Sequence, residues 1–198
     1  MRADEAERSN EVRNGSQIYS SVSLTSCVPE LFYAAGSSRQ QAEQLGEIIE
    51  TEGPLSEAVL FRKVARAWGL ERTGSKIVGR LQWLVPKSVG RTVEGSTTFY
   101  WPQSIAPGTS SHFRIADDAT SSKRHIDDVC IEEISALVVH VLQQAGGSPR
   151  QDVARSVCRL IGMSRTPADA EARAIKAIDQ LIKNNVLIQS ENNVRLST

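Results

Sequence analysis

The stretch Val64–Leu81, VARAWGLERTGSKIVGRL, is an apolar helix tail, a glycine, a hydrophobe, an Arg-Thr pair and the start of another helix. Some ninety residues later Val157–Ile175, VCRLIGMSRTPADAEARAI, sets out the same parts in the same order. Gly69 and Gly162 stand where each helix stops, and glycine takes the left-handed backbone of a helix end without steric cost. One joint written twice predicts one small fold written twice.

Outward from the first joint, the periods are helical. Ala42, Leu45, Ile48 and Ile49 repeat at three and four, and TEGPL breaks that helix through Gly53 and Pro54. Ser56 is a predicted cap for the next helix, whose stripe is Leu60, Phe61, Val64, Ala65 and Trp68. Thr73 or Ser75 is expected to cap a third helix carrying Ile77, Val78, Leu81, Leu84 and Val85, stopped near Pro86. The period then falls to two through Val89, Arg91 and Val93, turns at EGST and returns through Phe99 and Trp101, the pattern of a hairpin. Helices, a turn, a helix and a hairpin in this order predict a winged helix, a helix-turn-helix with a β-wing.

The second joint sits in the same frame. Ile131, Ile134, Leu137, Val138, Val141 and Leu142 predict a first helix, broken at AGGSP; Val153, Val157, Leu160 and Ile161 a second; Ala174, Ile175, Ile178, Leu181 and Ile182 a third; VLIQ, SENN and VRLS a smaller wing. The expected class is therefore mainly α with small β-wings (α+β), as two tandem winged-helix units. The expected divisions are a partly disordered tail or arm over 1–38, a first unit over 39–102, a linker over 103–125 and a second unit over 126–198. Residues 1 to about 16 are charged and poor in hydrophobes; QIYSSVSLTSCVPELFYAAG after them reads as an edge strand or an arm.

A formal net charge of zero conceals an uneven distribution. Residues 1–57 carry ten acids against four bases, whereas from Leu60 to Arg91 Arg62, Lys63, Arg66, Arg72, Lys76, Arg80, Lys87 and Arg91 face Glu71 alone. A third helix starting near Gly74 places Lys76 and Arg80 four apart on one face, with Ile77, Leu81 and Leu84 inward. Such a helix suits a major groove, with Thr73 and Ser75 meeting phosphate at its N-terminus and Arg91 touching backbone from the wing. The candidate DNA contacts are Arg72, Thr73, Ser75, Lys76, Arg80, Lys87 and Arg91, with duplex favoured over single strands. The competing reading is a solvated face, paired with the acidic N-terminal segment, on a fold that often binds proteins. In the second unit Arg165, Arg173, Lys176 and Lys183 are diluted by Asp169, Glu171 and Asp179, and Pro167 replaces Gly74. That unit is expected to pack or dimerise.

Catalytic constellations are not found. Cys27, Cys130 and Cys158 are odd in number and widely spaced, which supports reduced thiols over disulfides or zinc. GLERTGSK, Gly69–Lys76, has the glycine frame of a phosphate loop, but Ser-Lys stands where Lys-Ser or Lys-Thr is needed and a helix precedes it. His112, His125 and His140 have no nucleophile or metal spacing, His125 beside Asp127 and Asp128 suits a surface cluster at a helix start, and Glu132 and Glu133 suit a helix first turn. Trp68, Trp83 and Trp101 are read as packing, Trp101 alone having the option of stacking on a base or partner if exposed. No cofactor, no metal, no membrane contact and no enzyme activity is expected, and with no secretory segment read in MRADEAERSNEVRN a cytoplasmic location is expected.

IIETEGPLSEAVLFRKVARAWGLERTGSKI, with FYWP and the second unit's RLIGMSRT, resembles the domain-of-unknown-function family 3320 (DUF3320) over roughly Leu45 to Leu196. The resemblance implies a place at the C-terminal end of large superfamily-one helicase proteins, often after a restriction-endonuclease-like domain. It also implies a role in DNA restriction, repair or defence. The chain carries no helicase motor and no nuclease motif, so it is expected to be a fragment or a stand-alone relative, serving a helicase or nuclease in cis or trans as a DNA-binding accessory. The alternative is a protein-interaction module or homodimerisation module.

Overall fold

The computed structural model describes residues 16–108 and 111–197. Of the expected tail or arm over 1–38, residues 1–15 lie outside the described residues. The protein is an α+β chain of two compact units, one comprising Ser20–Pro107 and the other Gly108 onward together with the strand before Ser20. That strand is Ser16–Ile18 (β1).

In the first unit a short 3-10 turn, Pro29–Leu31, leads into α1, Ser37–Glu52, whose stripe of Leu45, Ile48 and Ile49 is fully buried. β2, Leu55–Ser56, follows, and α2, Glu57–Ala67, starts where Ser56 Oγ accepts the Val59 N–H at 3.3 Å, as its sequence predicts. Gly69 ends the helix at φ +68°, and a Cβ there would lie 2.7 Å from Pro29 Cγ, so both backbone and space require glycine. α3, Ser75–Leu84, begins on Gly74, which caps it without any side-chain bond; neither Thr73 nor Ser75 takes the expected role. β3, Gly90–Glu94, and β4, Thr97–Trp101, form the hairpin, turning at Gly95 with φ +60°. β4 also pairs with β2, Leu55 opposite Tyr100 and Ser56 opposite Phe99, giving the strand order β2-β4-β3.

In the second unit β5, Phe113–Ile115, pairs in parallel with β1, Ser16 opposite Phe113 and Ile18 opposite Ile115. It is followed by 3-10 turns at Thr120–Ser122 and Ile126–Asp128, then by α4, Ile131–Ala145, which ends on Gly146 at φ +70°. β6, Ser148–Pro149, α5, Arg150–Leu160, α6, Ala168–Lys183, and the hairpin β7, Leu187–Ser190, with β8, Asn193–Leu196, complete it in the strand order β6-β8-β7. Element order and strand order thus repeat. β6, α5 and α6 each begin 93 residues after their counterparts: Leu55 and Ser148, Glu57 and Arg150, Ser75 and Ala168.

Residues 103–125, a linker by composition, supply β5 and part of the second core. Phe113 is buried and stacks near His140 at 4.8 Å, whose imidazole burial pushes to a lower pKa. Arg114 and Arg124 close on Glu133, which is 1% exposed: Glu133 Oε1 accepts from Arg114 N–H at 2.9 Å and Arg124 Nη1 at 2.9 Å, and Oε2 from Arg114 Nη2 at 2.6 Å. The two guanidiniums lie 5.2 and 4.7 Å from the Tyr19 ring, so the segment after β1 is held by the same cluster. Glu133 therefore does more than complement a helix dipole. Cys130 and Cys158 are buried free thiols.

Candidate nucleic-acid interface

The joint between α2 and α3 turns its cations outward. Arg66, Arg72, Ser75 and Lys76 are exposed and Thr73 is half-buried. No acidic residue lies in α3, Ser75–Leu84, so nothing on the helix itself offsets Lys76 or the partial positive charge of its N-terminus. Lys87, just past the helix, is exposed as well. Among the described residues, no ion pair or side-chain hydrogen bond joins the side chains of Arg66, Arg72, Lys76 or Lys87 to a neighbour.

Arg80 is different. Expected beside Lys76 on the outer face, it is half-buried and turned back onto α1: Nε donates to Gln41 Oε1 at 2.8 Å, and Nη2 to Ser38 Oγ at 3.0 Å and Ser37 Oγ at 3.1 Å. Its guanidinium also sits 5.8 Å from the ring centres of both Phe32 and Tyr33. Each residue of a helix advances about 100°, so Arg80 lies between the outward direction of Lys76 and the inward one of Leu81 and Leu84. The packed neighbours take it.

Lys63, another base of this stretch, donates to buried Glu52 Oε1 at 2.6 Å and to Ser21 Oγ at 2.6 Å, while the Val22 N–H bonds the same carboxylate at 2.8 Å. The pairing of bases with N-terminal acids therefore holds for Lys63, where it anchors the arm; among the described residues none of the exposed four has such a pairing.

On the hairpin Arg91 is exposed, its guanidinium 5.4 Å over the Tyr100 ring. Tyr100 donates to Glu57 Oε2 at 2.8 Å; burial first, then that hydrogen bond, push its phenol pKa upward, with Arg91 opposing. Glu57 Oε1 accepts from Gln82 Nε2 at 2.9 Å, so this acid is engaged from two sides. A cleft of about 360 Å³ opens between α2, the turn, α3 and the hairpin tip, lined by Arg62, Thr73, Val78, Ser96, Thr97 and Thr98 among others.

Trp68 and Trp101 are buried, with indole N–H groups donating to Gln44 Oε1 at 2.8 Å and Thr92 Oγ1 at 2.9 Å. Trp83, read from sequence as core, is 81% exposed. Two residues past Leu81 is about 200° around the helix, which puts Trp83 on the face opposite the core. Its position on that wheel was the available signal.

In the second unit the cations are largely engaged at home. Arg150 pairs with Asp179, Arg155 with Asp152 at 2.9 Å, and Arg173 donates to Ile126 O at 3.0 Å and Val129 O at 2.7 Å. Arg165, Lys176 and Lys183 are exposed on or beside a helix that also carries Asp169, Glu171 and Asp179. Among the described residues no group of three His, Cys, Asp or Glu side chains is placed to hold a metal, and no helix is long and apolar enough to cross a membrane.

Residues 30–79 match a family described as a protein of unknown function (DUF3320). The match takes in α1, α2, the joint and the start of α3, including Arg72 and Lys76. No curated protein matches the chain.

Proposed function

We propose that the chain is a non-catalytic nucleic-acid-binding module of two tandem winged-helix units, the first of which sets the turn before α3, α3 itself and the β3–β4 hairpin against DNA phosphates. One observation carries this reading: Arg66, Arg72, Lys76 and Lys87 are exposed and unpartnered among the described residues, around a helix that holds no acid. Thr73 and Ser75 at the uncapped helix start add hydroxyl donors, and Arg91 adds a cation on the hairpin. The repeated order of helices, strands and sheet supports the winged-helix description. The family resemblance suggests a helicase or nuclease partner, in cis or trans, in DNA restriction, repair or defence, and the widely spaced cysteines suit a cytoplasmic setting. The second unit, whose Arg150, Arg155 and Arg173 are internally engaged, serves as scaffold.

The test is anisotropy of a labelled duplex at two salt concentrations with the wild-type chain and Arg72→Glu/Lys76→Glu. Binding that weakens with salt and weakens further in the variant supports the reading; identical isotherms for the two proteins refute this surface. A second reading, homodimerisation, draws on β3, an edge strand whose Val93 is 70% exposed. Sedimentation at micromolar concentration decides it.

A further inference from the structure

Trp83 is the feature that phosphate binding leaves unexplained. Its side chain is 81% exposed on α3, whereas large apolar groups at the same helix's Leu81 and at Val85 are buried. Seven residues separate it from Lys76, so both project within about 20° of one direction, roughly 10 Å apart along the axis. Gly79 lies between them, and a Cβ added there would meet nothing within 4 Å. The outer face of α3 thus runs from a cation across bare backbone to an indole, and Lys87 follows past the helix end.

We infer that Trp83 stacks on an unpaired base, so that the surface recognises nucleic acid with unstacked bases, as in a single strand or the frayed end of a duplex. The inference rests on the nucleic-acid reading above and deepens it. In a duplex major groove an indole meets base-pair edges, where a thymine methyl is its one apolar contact. An unpaired base offers its whole face, and stacking on an aromatic side chain is favourable for every base. The cations around α3 complement the phosphates of such a strand, and no acid on the helix repels them.

The chain holds three tryptophans, and Trp68 and Trp101 are 2% and 0% exposed, so fluorescence that responds to a bound ligand reports Trp83. The probes are oligothymidine, an abasic oligomer of equal length, a blunt duplex and a forked duplex, titrated at one salt concentration. Quenching by oligothymidine and the fork, with little by the abasic oligomer or the blunt duplex, is the expected result. Trp83→Ala is expected to lower affinity for oligothymidine and the fork by about 5- to 150-fold while leaving the blunt duplex unchanged, and Trp83→Phe to retain part of it. Equal quenching by the abasic oligomer, equal affinity of Trp83→Ala for the fork, or self-association abolished by Trp83→Ala overturns the inference. Should the blunt duplex still bind with salt dependence, the proposed function survives that outcome; if no probe binds, both fall.

Discussion

Arg80 and Arg173 hold the same position in the two units, each seven residues after the threonine of an Arg-Thr pair, Thr73 and Thr166. Each turns its guanidinium back to the entry of its own unit's first helix, Arg80 to Ser37, Ser38 and Gln41 in the first turns of α1, Arg173 to Ile126 O and Val129 O just before α4. The acceptors are mainly side chains in one copy, with Ala34 O at 3.5 Å, and mainly carbonyls in the other, with Asp127 Oδ1 at 4.0 Å, so the clasp is a matter of geometry rather than of a particular partner. It ties the third helix to the first.

Arg80→Ala is accordingly expected to destabilise the first unit, by about 1.5–3 kcal/mol, because it removes charge-assisted hydrogen bonds and leaves fully buried Gln41 without its donor. Urea unfolding followed by the near-ultraviolet signal of Trp68 and Trp101 measures it. A loss of DNA affinity with unchanged stability would instead return Arg80 to the binding surface.

The exposed cations make the opposite prediction. Arg72→Glu/Lys76→Glu removes charges that have no hydrogen-bond or ion-pair partner among the described residues, so the unfolding midpoint should stay in place while DNA affinity falls. If both contact phosphate, the slope of log K against log salt becomes shallower by about 1.8, from roughly 0.9 per contact. A slope that does not change removes both residues from the interface.

Glu133 sets a pH dependence. Burial alone would raise its pKa, but the charges of Arg114 and Arg124 and their hydrogen bonds outweigh it and hold the carboxyl at about 2, below its ordinary value of 4.5. A carboxyl depressed on folding stabilises the fold at pH above its unfolded pKa and loses that contribution as the pH falls toward the folded one. Stability of the second unit should therefore be level near neutrality and decline from about pH 4.5 down to about 2. Glu133→Gln should be less stable at neutral pH, with buried Arg114 left uncompensated, and should show a smaller decline with acid. Parallel acid profiles for the two proteins would show that other carboxyls govern the loss.

The helices and hairpins were legible because apolar residues recur at three and four, then at two, and because Gly69, Gly162 and Pro86 punctuate them. The pairing of β1 with β5 was not, since three-residue strands nearly a hundred residues apart leave no local period, and Phe113–Ile115 lies among Pro, Gly, Ser and Thr. The inward turn of Arg80 and the ion pairs of Glu133, whose place in a helix first turn was legible, escaped the sequence for a shared reason. A charged residue is assigned to solvent by default, and only the tertiary partners that bury it can reverse that assignment. Trp83 errs in the other direction: indole hydrophobicity suggested the core, while its angle from Leu81 points outward.

The two joint glycines are equivalent in sequence but not in cost. Gly69 has φ +68°, and a Cβ would press on Pro29 Cγ, part of a ring that can shift with its 3-10 turn. Gly162 has φ +91°, farther from the left-handed region that other residues tolerate, and a Cβ would meet Ala116 Cβ at 2.8 Å and Lys123 Cα at 3.0 Å, neither a flexible end. Ala116 is further fixed by its N–H bond to Leu160 O at 2.7 Å, and Arg124 by its own to Ile161 O at 2.9 Å. Gly162→Ala should therefore destabilise its unit by well over 1 kcal/mol and by more than Gly69→Ala destabilises the other. Denaturant midpoints of the two single variants compare them directly; a larger loss at Gly69 would mean that the Pro29 turn is the stiffer neighbour.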